Sequence, residues 1–169
     1  MTEPAASSPE KTIGIQKIYM KDFSFESPST PGVFTTADWT PKTNLNLRSS
    51  HTKIDNDNHE IVLTITVETK YEEKTIFLVE LQQAGLFHIT GYSGEEFGAV
   101  VGSFCPNVLF PYARETIASA VAKGGFPEFL LQPINFDSLY MQSRQQAAAK
   151  TAQAAPAAPA GDGSNGGTH

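Results

Sequence analysis

The hydrophobic period of this chain changes once, about half-way along, and that change restricts it to one class of fold. Up to residue 89 the apolar residues recur mainly at every second position, and from residue 95 onward they recur at helical spacing. Ile13 and Ile15 alternate with polar residues, and after a slip near Ile18 so do Phe23 and Phe25. Leu45 and Leu47 share one face of a segment at 44–49 that Ile54 extends. Ile61, Leu63, Ile65 and Val67 share one face of the next, opposite Thr64, Thr66 and Glu68. A last such segment spans 75–89, where Ile76-Phe77-Leu78-Val79 is apolar on both faces, so both sides of a sheet are expected to be covered there. Alternation of this kind marks strands, and the slip fits a bulge. Asp55-Asn56-Asp57-Asn58 and Glu72-Glu73 mark reversals. Short turns between strands make a largely antiparallel sheet.

The first strand is followed by a long connection, 27–43, with Pro28, Pro31 and Pro41 and with Val33, Phe34 and Trp39 inside it. Connections of this length without regular structure are uncommon and are often functional. In the second half, 95–104 reads as a short helix weakened by Gly98 and Gly102, and interrupted by Pro106. A second helix starts near Pro111 and runs through Ala113, Ile117, Ala120 and Val121 to Lys123, where Gly124-Gly125 stops it. Its remaining surface is small (Ala118, Ser119, Ala122), which suits close helix–helix contact. After a loop at 124–134, a last helix begins around Asn135 or Asp137 and shows Phe136, Leu139 and Tyr140 at i, i+3, i+4 spacing. Strands first and helices last predict an α+β fold: a four-stranded antiparallel sheet with a long crossover loop, packed on two C-terminal helices.

At 169 residues the chain is one domain with tails. Residues 1–11 and 147–169 are expected to be disordered, the latter being an Ala/Pro/Gly-rich stretch without large apolar side chains. Alanine permits some helix near Ala147–Ala149, but Pro156, Pro159 and the following glycines argue against anything longer. The domain is expected over 12–146. A formal charge of −6 without any basic stripe disfavours nucleic acid. The single cysteine, Cys105, cannot form an internal disulfide, and the N-terminal segment lacks the basic start and apolar run of a signal peptide. No apolar run approaches the ~18 residues of a membrane span, so no membrane insertion and a cytoplasmic location are expected.

The motifs of catalysis and metal binding fail on inspection. Asp55-x-Asp57-x-His59 begins like a calcium loop, but Glu60 stands where glycine is required and Thr66 where the closing glutamate belongs. Gly91-Tyr92-Ser93-Gly94 approaches a nucleophile elbow, but Glu95 occupies the second glycine position. His51, His59 and His88 lack zinc spacing, and no Gly-rich phosphate cradle is present. The expectation is a protein without catalytic residues, cofactor or metal.

Ordered blocks along 13–144 carry a family resemblance. They are Ile18-Tyr19-x-Lys21-Asp22-x-Ser24-Phe25-Glu26, Asp38-Trp39-x-Pro41, Gln82-Gln83-x-Gly85-x-Phe87, Cys105-Pro106-Asn107-Val108-Leu109-Phe110-Pro111-Tyr112-Ala113-Arg114-Glu115, Gly124-x-Phe126-Pro127 and Pro133-x-Asn135-Phe136-Asp137-x-Leu139-Tyr140. Together they resemble the SecB protein-export chaperones. The resemblance implies an ATP-independent holdase that keeps non-native precursor proteins unfolded and delivers them to SecA, the export motor. It also implies a homotetramer, a dimer of dimers, in which first strands pair so that the sheet extends across a dimer. Ile13 and Ile15, with Ala113, Ile117, Ala120 and Val121 of the small-faced helix, are the expected oligomer contacts. The helix residues equally suit packing within one chain.

The same resemblance assigns SecA docking to Asp22, Glu26, Leu78 and Glu80. Period-two geometry puts Asp22 with Glu26, and Leu78 with Glu80, on one strand face each. If both strands present the same side, the four make an acidic surface around an apolar anchor, suited to SecA's basic C-terminal zinc-binding segment. On the residues alone, the carboxylates equally describe a solvated sheet face. A client groove is expected from Phe34, Trp39, Phe126, Phe136, Leu139 and Tyr140, since aromatic rings give large contact area with few rotors to immobilise. Phe136, Leu139 and Tyr140 either line that groove or pin the last helix to the sheet. Two other functions fit an α+β chain of this kind: a SecB-like chaperone serving a toxin–antitoxin system, and a small-molecule or lipid carrier.

Overall fold

In a computed structural model the described residues are 10–36, 38 and 40–154. Strands β1 (Thr12–Glu26), β2 (Lys42–Lys53), β3 (Asn58–Tyr71) and β4 (Lys74–Thr90) form one antiparallel sheet in the order β1-β4-β3-β2. The sheet carries helices α1 (Gly94–Ala99), α2 (Cys105–Lys123) and α3 (Phe136–Ala154). The α+β architecture read from the change of period is the one observed.

The strand order explains the long connection. β1 and β2 lie on opposite edges, so the chain must cross the full width of the sheet, about 14 Å for three strand spacings. A 3-10 turn, Gly32–Thr35, stiffens this crossover and buries Val33.

β1 contains two register shifts, between Ile15 and Lys17 and between Met20 and Asp22. The expected single slip near Ile18 is thus a pair of bulges flanking it. Each bulge reverses the parity of the strand. Tyr19, opposite Ala84, therefore faces the same side as Asp22, opposite Gln82, despite their odd spacing.

The core lies between the sheet and α2. Ile61, Leu63, Ile65 and Val67 of β3 and Phe77, Val79, Leu81 and Phe87 of β4 point to the helix side and are buried. Leu109 and Ile117 of α2 are fully buried with them, each contributing about 1.5–3 kcal/mol. Gly85 makes the closest approach possible: a Cβ there would sit 2.9 Å from Leu109 Cδ2.

The helices depart from expectation in two places. Pro106 does not interrupt the helical run and Pro111 does not start it. A π-helical turn, Val100–Phe104, joins α1 to α2, Pro106 falls in the first turn of α2, and Pro111 sits inside that helix. A π turn shifts the hydrogen-bond register by one residue, and a first-turn proline has no N–H that the helix needs. α3 continues to Ala154, through residues assigned by composition to a disordered tail. Ala, Gln and Lys are strong helix formers, and Pro156 lies two residues beyond. Residues 155–169 and 1–9 lie outside the described residues.

Candidate functional site

The two faces of the sheet carry different chemistry. On the face away from α2, β1 and β4 present one side together. Asp22 stands opposite Gln82, Ser24 opposite Glu80 and Glu26 opposite Leu78. Directly opposed residues in an antiparallel pair share a face. The condition set by the sequence reading is therefore met, and Glu80 falls between Asp22 and Glu26 with Leu78 beside them. Asp22, Glu26 and Glu80 are exposed and Leu78 is half-buried. Glu68 of β3 stands opposite Leu78 and extends the carboxylate set, although Lys70 Nζ pairs with it at 3.3 Å.

The other end of this face is tied down. Tyr19 Oη donates to Glu60 Oε1 at 2.5 Å, and Lys21 Nζ donates to both Glu60 oxygens at 2.9 Å. These bonds span β4 from β1 to β3, over the fully buried Ala84. Lys21 and then Tyr19 hold the Glu60 carboxyl below the usual carboxylate range. Burial, with the Glu60 carboxylate beside it, pushes the Tyr19 phenol up to about 12.

On the helix side two clefts lie along β2. One, of about 510 Å³, is walled by Leu47, Ser49 and His51 of β2, by Gly98 and Gly102, and by Leu139 and Tyr140 of α3. The other, of about 300 Å³, is walled by Thr43, Phe77, Phe126 and Phe129. Thr43 and Leu47 are four residues apart on one strand face, so the clefts follow each other at about 13 Å.

Glycines shape the first cleft. A Cβ at Gly102 would lie 2.4 Å from Tyr140 Cδ2, and one at Gly98 would lie 2.4 Å from Tyr140 Oη. The two glycines that weaken the helix in sequence thus form the seat of the Tyr140 ring. Asp137 accepts a hydrogen bond from the buried Ser103 hydroxyl, and Arg144 pairs with Glu95 at 2.7 Å.

The expected groove residues divide. Phe34 is 53% exposed and its ring lies 5.3 Å from that of Phe126. Leu139 is exposed and Tyr140 half-buried. Phe126 and Phe136 are core side chains, 6% and 4% exposed, and offer the clefts a floor rather than a free ring. Their burial follows from contact with other rings: Phe126 packs on Phe25, Phe34 and Phe77, and Phe136 on Phe110. Trp39 lies outside the described residues.

The expected oligomer residues also divide. Ile15 is 51% exposed, and Ile13 and Ala120 are half-buried. Ala113, Ile117 and Val121 have no exposed surface, because this i, i+4, i+8 stripe faces the chain's own sheet; they are not available to a partner. The free surface near that helix instead carries Met20, Phe104 and Tyr112. His51, His59 and Phe97, together with the glycine seat, are the site features that sequence reasoning missed. Each depends on contacts between distant segments.

The model of the family described as preprotein translocase subunit SecB matches residues 6–147. The chain belongs to the SecB family. Curated SecB relatives align over most of its length. The protein-export protein SecB of Methylococcus capsulatus is 51% identical over 146 residues, covering 86% of this chain and 94% of that one. That of Nitrosococcus oceani is 51% identical, covering 78% and 81%, and that of Hahella chejuensis 46% identical, covering 87% and 93%. Among solved structures, the Mycobacterium tuberculosis Rv1957 SecB-like chaperone in complex with a ChAD peptide from the Rv1956 HigA1 antitoxin superposes with a TM-score of 0.61. It is 15% identical and covers 72% of this chain and 90% of that one, which establishes a shared SecB-like fold. Membership of the SecB family makes the chain a protein-export chaperone. The export reading rests on the family match and on relatives 46–51% identical to this chain.

Proposed function

We propose that this SecB-family protein holds extended, non-native precursor segments along the two β2 clefts, and docks SecA through Asp22, Glu26, Leu78 and Glu80 on the opposite face. The observation that carries the reading is the pairing of Ser24 with Glu80, which gathers the three carboxylates and the Leu78 anchor onto one face while the aromatic clefts open on the other. An unfolded client exposes apolar side chains in no fixed order. Shallow, open clefts in series with adaptable walls suit such a client better than one enclosed pocket. Each apolar contact contributes about 1–3 kcal/mol, so several together can hold a chain without a nucleotide cycle.

Assembly into a dimer of dimers belongs to the same reading. β1 is a fifteen-residue edge strand with exposed Ile15 and Met20, and an unprotected apolar edge favours pairing with a second copy. Phe34, Leu139 and Tyr140 supply the movable walls of the groove, with Trp39 of the crossover segment as a further contact. Native mass measurement with and without an unfolded precursor tests holding and assembly together. A tetramer that gains one precursor mass is expected; a monomer, or a tetramer that ignores the precursor, refutes the reading.

A further inference from the structure

Two histidines on the helix side of the β2–β3 hairpin play no part in the acidic surface. His51 Nε2 and His59 Nδ1 are 2.9 Å apart and share a hydrogen bond. Both rings rest against Phe97 of α1, with centroids 5.5 and 5.0 Å from it. His59 is 4% exposed, and His51 also lines the larger cleft.

A hydrogen bond between two imidazoles needs one N–H and one lone pair. It persists when the pair is neutral and when it carries one extra proton. A second extra proton turns the acceptor into a donor and sets two positive rings against each other. The surroundings relieve that repulsion only in part, because His51 is exposed to solvent while His59 is buried. On β2 the nearby charge is Lys53, which disfavours a proton on His59; Asp55 and Asp57 of the turn favour one. On α1, Glu95 and Glu96 are engaged by Arg144 and Lys11. α3 contributes Arg144 and the Tyr140 phenol at the cleft. β4 places Phe87 opposite His59, while His88 pairs with Asn58 and faces the other side of the sheet.

We propose that the His51–His59 pair is a proton-sensitive latch: its single shared hydrogen bond keeps α1 seated on the sheet, and double protonation frees α1 together with the Gly98–Gly102 seat of Tyr140. The coupling is by adjacency, since Phe97 packs on both imidazoles and Gly98, the next residue, touches Tyr140. Burial lowers the pKa of both histidines, and for His59 the neighbouring His51 and Lys53 add to it. A lowered folded pKa means that the opened chain binds more protons in acid. The latch is therefore closed above the ordinary histidine pKa of about 6.5 and weakens as pH falls below it. The inference concerns the fold itself and stands independently of what the cleft holds.

Hydrogen exchange of the full-length protein, corrected for intrinsic rates, tests the latch. Between about pH 7.5 and about pH 5.5, protection of residues 94–104 and 136–146 is expected to fall about tenfold in the wild type. In His51→Gln, whose amide can still bond His59 but takes no proton, that pH dependence should vanish. Unchanged wild-type protection, or full pH dependence in the variant, overturns the proposal. Imidazole nitrogen shifts of the wild type give a second readout that needs no variant. Two coupled steps, both below about 6.5, are expected; independent titration of both rings near 6.5 overturns it.

Discussion

Glu80 of β4 stands directly opposite Ser24 of β1, which sets its side chain between Asp22 and Glu26 on one sheet face. Three exposed carboxylates at strand spacing make a field that one basic segment can satisfy together. Reversing the central charge should therefore do more harm than removing an outer one. Glu80→Lys is expected to weaken binding of SecA's C-terminal zinc-binding segment at least tenfold, about 1.4 kcal/mol or more. Wild-type affinity should itself fall as salt is raised. Calorimetric titration at two ionic strengths checks both, and client holding by the variant should be unaffected.

Phe34 and Phe126 touch but differ in burial, which separates their roles. Phe34→Ala removes a half-exposed ring and should reduce suppression of client aggregation, at a cost in stability of about 1 kcal/mol or less. Phe126→Ala opens the core and should cost about 3–5 kcal/mol. Light scattering of a denatured client, with thermal melts of each variant, distinguishes the two. Normal holding by Phe34→Ala would remove that ring from the groove.

Gly102→Ala would bring a methyl group into the Tyr140 ring. Overpacking of this kind typically costs about 1–3 kcal/mol, and here it should be felt as loosening of α3. Faster hydrogen exchange at 136–146, with little change in β3 and β4, is the expected pattern. Tyr140→Ala removes the obstacle, so the double variant should be no less stable than Tyr140→Ala alone.

Burial pushes the Cys105 thiol up to about 12. The folded protein then keeps the neutral thiol where the unfolded chain, near 8.5, releases its proton. This contribution to stability is complete below about pH 8.5 and is lost as pH rises toward 12. Alkylation by iodoacetamide at mildly alkaline pH should be at least about 100-fold slower in the native protein than in denaturing urea, because only the accessible thiolate reacts. Comparable rates would show that Cys105 is not enclosed.

Much of this arrangement is legible in the residues. Strands announce themselves by alternation, and the long crossover follows from three prolines and the missing period at 27–43. The acidic surface is only half legible: spacing joins Asp22 to Glu26 and Leu78 to Glu80, but pairing β1 with β4 requires the register. Two bulges in β1 hide the parity that puts Tyr19 on the Asp22 side. An apolar stripe such as Ala113, Ile117 and Val121 looks the same whether it meets its own sheet or another subunit. Gly98 and Gly102 read as helix weaknesses because the ring they accommodate lies far along the chain. The start of α2 was hidden for a local reason, since a π turn leaves no periodic trace in five residues.

The sheet that separates the β2 clefts from the acidic surface is one layer thick. A client on one side and a motor on the other would not compete for the same atoms, so cargo need not be let go before the next carrier arrives. Transfer could then proceed as a relay within one assembly, with the client sliding from cleft to translocase while both remain attached. Its speed would depend on how fast the chain peels from the clefts and not on recapture from solution.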